Sequence, residues 1–233
     1  MCGRYSLIGI DDLGTRFRIT DPSIGFRSRF NIAPGSMVPV IVHRERPEAI
    51  MMAWGLVPRW TKDRDGADPI INARAETISQ RPSFRHLLKS NRCLVPATGF
   101  FEWKKDQKRK TLFYIRMRDS RLFAFAGLYD IWHDPAGNNG ATCTIITTVP
   151  NELVAPIHNR MPVILDRNSE TRWLSDESLT PADLTQFLVP FPATGMEAYP
   201  VLPLVNNPKI DDERLIRPLG GLWIIVFSVI LSS

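Results

Sequence analysis

The chain has 233 residues, of which 44% are hydrophobic, and a formal charge of +5 that gives a pI near 9.3. That apolar fraction is typical of globular chains and excludes a disordered one, and the length allows a sizeable core. The mild positive balance suits a polyanionic partner but does not select one. Cys2, Cys93 and Cys143 form neither a CxxC pair nor an evenly spaced ladder. So sparse and odd a set fits free thiols in a reducing compartment and offers no ligand spacing for zinc. No charged leader followed by a long apolar stretch opens the chain, so a signal peptide is not expected. The apolar run from Leu222 to Leu231 is too short to cross a bilayer, which needs roughly 20 residues. A cytoplasmic protein without a membrane partner is expected.

In chain order, DDLGTRF opens a short helix with Asp11 or Asp12 as a possible N-cap. Met37 to His43 reads as a strand. RPSFRHLLKS, from Arg81, spaces Phe84, Leu87 and Leu88 for one buried helical face. Cys93 to Ala97 is the next strand, and GFFEW follows as an aromatic strand in which Glu102 faces away from Phe101 and Trp103. Lys104 to Lys110 reads as a turn with a charged tip, before a strand at Leu112 to Met117. Phe123 to Trp132 and Thr142 to Thr148 are strands joined through a hairpin turn, Asp134 to Gly140, rich in turn formers. Val163 to Leu165 is a further strand, and ETRWL and PADLTQFL are short helices, the second with Pro181 in its first turn. Leu222 to Leu231 is β-branched enough to be a strand. With 19 prolines and 14 glycines spread along the chain, elements are short. Strands outnumber helices and do not alternate with them, which predicts an α+β fold around an antiparallel, barrel-like sheet.

Four segments carry residue types suited to chemistry. The first is MCGRY. Removal of Met1 would leave Cys2 with a free α-amine beside its thiol. With a pKa near 7.7–8.0, roughly a tenth of such an amine is neutral at pH 7. It can condense with an aldehyde to an imine, and the thiol can close on that carbon to a thiazolidine. The second runs from Trp54 to Thr77. Trp54, Arg59, Trp60 and Arg74 interleave aromatic faces with guanidinium groups, as single-strand binders do, and Asn72 offers donors and an acceptor to orient a substrate. In the third, Glu102 is a carboxylate in apolar company, where a raised pKa suits proton transfer. In the fourth, IHNRMPVIL, His158 is a possible general acid or base. Each also has a structural reading: a frayed end, core tryptophans, a solvated strand face, a packed histidine.

Together the segments resemble the SOS-response-associated peptidase (SRAP) family of abasic-site-processing proteins. The resemblance rests on MCGRY, FNIAPGS, MAWGLVPRW, INARAET, CLVPATGFFEWKK, FAGLYDIW, TIITTVPN, IHNRMPVIL and VNNPKIDDERLIRPL, in order from Cys2 to about Leu219. It implies a single domain over residues 1–219, followed by an apolar extension, 220–233, that departs from the family. It implies a cofactor-free, metal-free monomer, nucleoid-associated, that crosslinks covalently to abasic sites in single-stranded DNA during the DNA-damage response. Lyase-type chemistry and self-processing of Met1 belong to the same expectation. Carried over by position, Cys2 is the crosslinking residue, with Asn72, Glu102 and His158 around it. Arg4, Asn31, Pro34, Gly35, Trp54, Arg74 and Thr147 match positions lining the site or the DNA groove. Two other readings compete: a peptidase with Cys2 as acyl-forming nucleophile and His158 as base, and a non-covalent single-strand-binding module. If the 220–233 extension lies outside the domain, truncation after Leu219 keeps crosslinking on a denaturing gel and, where the tail is exposed, improves solubility. Loss of folding on truncation would place the tail in the core.

Overall fold

The computed structural model describes residues 2–19, 25–61, 68–106, 109–133 and 139–220. The centre of the Asp134–Gly140 turn and the Leu222–Leu231 run lie outside them. The chain forms β1 (Tyr5–Leu7), α1 (Leu13–Phe17), β2 (Arg29–Ile32), β3 (Met37–His43), β4 (Pro47–Trp54) and β5 (Asn72–Arg74). It continues with α2 (Pro82–Arg85), α3 (Leu87–Ser90), β6 (Arg92–Ala97), β7 (Gly99–Asp106), β8 (Arg109–Met117), β9 (Phe123–His133) and β10 (Asn139–Thr148). It ends in β11 (Met161–Pro162), β12 (Ile164–Leu165), α4 (Arg167–Leu174), α5 (Pro181–Phe187) and β13 (Met196–Val201).

Five strands close into a ring. β10 pairs in parallel with β4, and antiparallel pairings then run β4–β3–β6–β9 and from β9 back to β10. Closure leaves no free edge among these five. A second sheet, in the order β13–β8–β7–β1–β2, packs beside it. This is the mixed α+β, barrel-centred architecture that the strand-rich pattern predicts. Its parallel contact between β10 and β4 is a departure from a purely antiparallel sheet.

Sheet alternation decides where the chemistry points. In β7, Phe101 and Trp103 pack with Leu112, Tyr114, Val201 and Leu215 in a small satellite core, while Phe100 belongs to the main core. Glu102 shares the Phe100 face by the period of two and is buried. The strand reading of GFFEW therefore holds, and it places a carboxyl group on the inner side.

Helices brace the barrel from outside. Arg16 of α1 makes a bidentate pair with Glu170 of α4, at 2.8 and 2.7 Å. The Arg92 guanidinium donates to the carbonyls of Leu88, Lys89, Trp173, Ser175 and Glu177, so one side chain satisfies orphan carbonyls at the ends of both α3 and α4. Asp12 occupies the N-cap of α1 but makes no side-chain cap bond, because the 3-10 turn at Ile10–Asp12 already holds it in helical conformation. In α5 the cap is complete: Thr180 and Asp183 bond reciprocally. The sequence pattern does not predict β1, β2, β4, β5, β11 or β13.

The turn from β6 into β7 requires glycine for space. A Cβ at Gly99 would lie 2.3 Å from the Tyr114 ring, whose hydroxyl is itself held by Ser6 Oγ at 2.8 Å. Gly99→Ala is expected to cost about 1–3 kcal/mol of unfolding free energy, the usual cost of overpacking. Combining it with Tyr114→Leu should cost less than the sum of the two changes in urea titrations.

Candidate active site

Residues 2–4 precede β1 and have only partial ladder support, so other contacts fix them. Tyr5 and Ser6 pair with Phe100 and Gly99. One step earlier the Phe101 amide donates to the Arg4 carbonyl at 3.0 Å. That carbonyl also receives the Cys2 thiol, 3.7 Å away. The Cys2 carbonyl accepts from Asn72 Nδ2 at 3.0 Å. Asn72 can reach it because β5 lies parallel on β10, with Asn72 opposite Ile145. Cys2 is fully buried.

Burial, reinforced by the Glu102 charge, pushes the Cys2 thiol well above its ordinary range. Burial likewise raises the Glu102 carboxyl, and His158 draws it part of the way back. Glu102 thus acts on the Cys2 thiol and is itself acted on by His158. Arg4 Nη1 and Asn72 Oδ1 are buried without a hydrogen-bond partner among the described residues. Buried polar atoms in native proteins are nearly always satisfied, so each marks a place where a polar ligand could bond. Burial also lowers the Arg4 pKa.

The remaining sequence candidates fall into three groups. Arg74, the end of β5, is exposed and sits opposite Thr147. Pro34 and Gly35 form an exposed turn between β2 and β3, where Gly35 takes φ 84° and donates to the Trp54 carbonyl at 2.7 Å. Trp54, Asn31 and Thr147 are buried. The Trp54 ring packs edge-on against Tyr5, centroids 5.2 Å apart, and its Nε1 donates to the Ile71 carbonyl at 3.0 Å. Its ring is therefore held within the core next to β1. Asn31 Nδ2 is directed to the carbonyls of Val205, Asn207 and Ile210 and fastens the C-terminal loop, while its buried Oδ1 has no hydrogen-bond partner among the described residues. Thr147 Oγ1 donates to the Ala73 carbonyl at 3.4 Å. Trp60, by contrast, is 53% exposed. It tilts against His86 with centroids 5.5 Å apart, while the neighbouring Arg59 amide is held by the Asp130 carboxylate at 3.0 Å.

Two residues escaped the sequence reading although both stand in the quoted motifs. Arg160 makes a bidentate pair with Glu76 and donates to the Thr147 carbonyl, and its backbone amide donates to His158 Nδ1. A cavity of about 540 Å³ lies apart from this cluster, lined by Ile8, Arg16, Thr98, Tyr114, Arg116 and Arg167 among others, and none of the sequence candidates borders it. Among the described residues no group of three His, Cys, Asp or Glu could hold a metal, and no helix is long and apolar enough to cross a membrane.

Comparison with known proteins places this arrangement. The abasic site processing protein YoqW of Bacillus subtilis is 45% identical over 222 residues, covering 93% of this chain and 99% of its own. The abasic site processing protein HMCES of Gallus gallus is 30% identical over 227 residues, covering 83% and 67%. An X-ray structure of a protein from Bacteroides thetaiotaomicron superposes with a TM-score of 0.86 at 30% identity, covering 94% of this chain and all of that one. The family model described as SOS response associated peptidase (SRAP) matches residues 1–208. The chain belongs to the SRAP family.

Proposed function

We propose that this protein processes abasic sites by forming a thiazolidine between Cys2, freed by removal of Met1, and the ring-opened aldehyde of an abasic site in single-stranded DNA. The observation that carries this reading is the Cys2 environment. Its thiol is buried, its carbonyl is held by Asn72, and Glu102 lies close enough to raise the thiol while His158 draws the Glu102 carboxyl downward.

The steps balance as follows. His158 donates a proton to the sugar ring oxygen as the closed hemiacetal opens to the aldehyde, and the proton released from the anomeric hydroxyl replaces it. The neutral α-amine of Cys2 attacks the aldehyde carbon, Glu102 moves one proton from the nitrogen to the new alkoxide, and the resulting hydroxyl leaves as water with the second nitrogen proton as the imine forms, so that Glu102 is ionised again. The Cys2 sulfur then bonds to the imine carbon, and the thiol proton passes by way of Glu102 to the nitrogen. Asn72 keeps the Cys2 backbone in place throughout. An imine alone hydrolyses readily, whereas the closed ring persists without a reductant. Arg74 and Arg4 supply phosphate-pairing charge beside the site.

The same environment weighs against the acyl-transfer peptidase reading. A cysteine nucleophile of that kind acts as a thiolate and needs a lowered pKa, yet burial and Glu102 both push the Cys2 thiol upward. Closure onto an imine needs no standing thiolate, only a partner to take the proton.

Abasic single-stranded DNA mixed with the protein should give a heat-stable adduct on a denaturing gel. Cys2→Ala retains the amine and should yield only an imine that borohydride traps. An uncleaved N-terminal tag replaces the amine by an amide and should abolish both, while Cys143→Ala should crosslink normally. A heat-stable adduct formed by Cys2→Ala at the wild-type rate without reductant sinks the mechanism.

Glu102 gives a pH-dependent test. Burial lifts its folded-state pKa above the ordinary 4.5. As pH rises through the unfolded value, the unfolded carboxyl ionises while the buried one keeps its proton. Unfolding then releases a proton, and stability falls until pH passes the folded pKa. Glu102→Gln removes that penalty. Its Tm should match wild type at pH values below the ordinary carboxyl pKa and exceed it at pH values above the raised one, while adduct formation slows by about 10²–10⁴. A variant less stable than wild type at neutral pH would contradict this account of the burial.

A further inference from the structure

Arg160 is bonded on several sides although its side chain is only 12% exposed. Nη1 and Nη2 donate to the two Glu76 carboxylate oxygens at 2.5 and 3.0 Å. Nη2 also reaches the Thr147 carbonyl at 2.5 Å and the Thr147 hydroxyl at 3.3 Å. Planar bidentate pairing of this kind fixes orientation as well as charge. Its two ends belong to different parts of the site. Glu76 lies in the 3-10 turn Ala75–Thr77 that continues β5, four residues after Asn72. Arg160 lies two residues after His158, and its backbone amide donates to His158 Nδ1 at 3.0 Å.

That last bond has a chemical consequence. A ring nitrogen that accepts from an N–H carries no proton, so the neutral imidazole bears its hydrogen on Nε2. The tautomer follows from this geometry rather than from an observed hydrogen. When the ring is an imidazolium, the Arg160 carbonyl, 3.3 Å from the same Nδ1, can accept the second proton. One residue's backbone therefore serves both charge states.

We propose that Glu76 and Arg160 are positioning residues for adduct formation: their ion pair fixes the His158 ring in its Nε2–H tautomer and ties it to the β5 segment whose Asn72 holds Cys2. The proposal rests on the crosslinking reading for its consequence, but the brace exists in the free protein and is measurable there. Exposed ion pairs contribute little to stability. This one is partly buried and joins two segments 84 residues apart, so its worth lies in geometry.

The test uses the full chain without DNA and then with it. Nitrogen-15 spectra of the free protein should show His158 as the Nε2–H tautomer in wild type, and a shift toward mixed tautomers in Glu76→Gln and in Arg160→Lys. With abasic single-stranded DNA, Glu76→Gln should slow adduct formation about tenfold at saturating strand, as loss of coupling between residues in one network does. Its affinity for an intact strand should be unchanged. In a His158→Gln background the same substitution should slow the reaction less than twofold. An unchanged His158 spectrum in both variants, or an equal slowing in the His158→Gln background, overturns the proposal. Absence of any adduct from wild type would strike the crosslinking reading instead and leave the spectra to judge the brace.

Discussion

The organisation of this molecule depends on burying the beginning of its chain. Chain termini usually fray, because half of their neighbours are missing and their polar groups prefer water. Here the first described residue is fully buried, and three bonds hold it there: Asn72 to the Cys2 carbonyl, the Cys2 thiol to the Arg4 carbonyl, and the Phe101 amide to that same carbonyl. Everything around serves that constraint. β1 is inserted between β2 and β7, so the segment is fixed from both sides, and the parallel pairing of β5 on β10 brings Asn72 within reach.

Burial then sets the chemistry. A carboxyl and a thiol brought together in an apolar interior both resist ionisation. Such a site favours reactions in which a proton is passed on at the moment a bond forms, and disfavours those that need a standing thiolate. His158 moderates Glu102 from the other side, and the Glu76–Arg160 pair keeps its ring oriented. A site of this kind is costly to fold, since the raised carboxyl stores an unfavourable ionisation, and functional sites commonly carry such a cost.

Much of the fold is legible in the sequence wherever a strand is apolar and bounded by turn residues. Met37–His43 is read from end to end, and Cys93 to Ala97 and Phe123 to Trp132 fall within a residue of β6 and β9. β4 is hidden because it opens on Pro47 and Glu48 and its half-buried residues give no clean alternation. β13 is hidden for a like reason: Glu197 and Pro200 interrupt it, and its stability comes from register with β8. At the site, residue type alone identifies Cys2, Glu102 and His158 as capable of chemistry. It does not distinguish Trp54, locked into the core by Tyr5 and Ile71, from Trp60, which is exposed, because both stand in the same aromatic–basic stretch. Nor does it reveal Arg160 and Glu76, whose meaning depends on a pairing across the fold. Asn31 has a structural duty that its motif does not announce: its amide nitrogen holds the C-terminal loop.

The central claim is that the reacting atoms are the α-nitrogen and sulfur of Cys2. Mass-spectrometric mapping of the adduct formed with a short abasic single strand, digested with trypsin and nuclease and handled without reductant, tests it most directly. The account predicts a modified peptide that begins at Cys2, lacks Met1, and carries the opened sugar with the loss of one water, with no free thiol left at Cys2. An adduct mapped to a lysine, or one on a peptide that retains Met1, would contradict it.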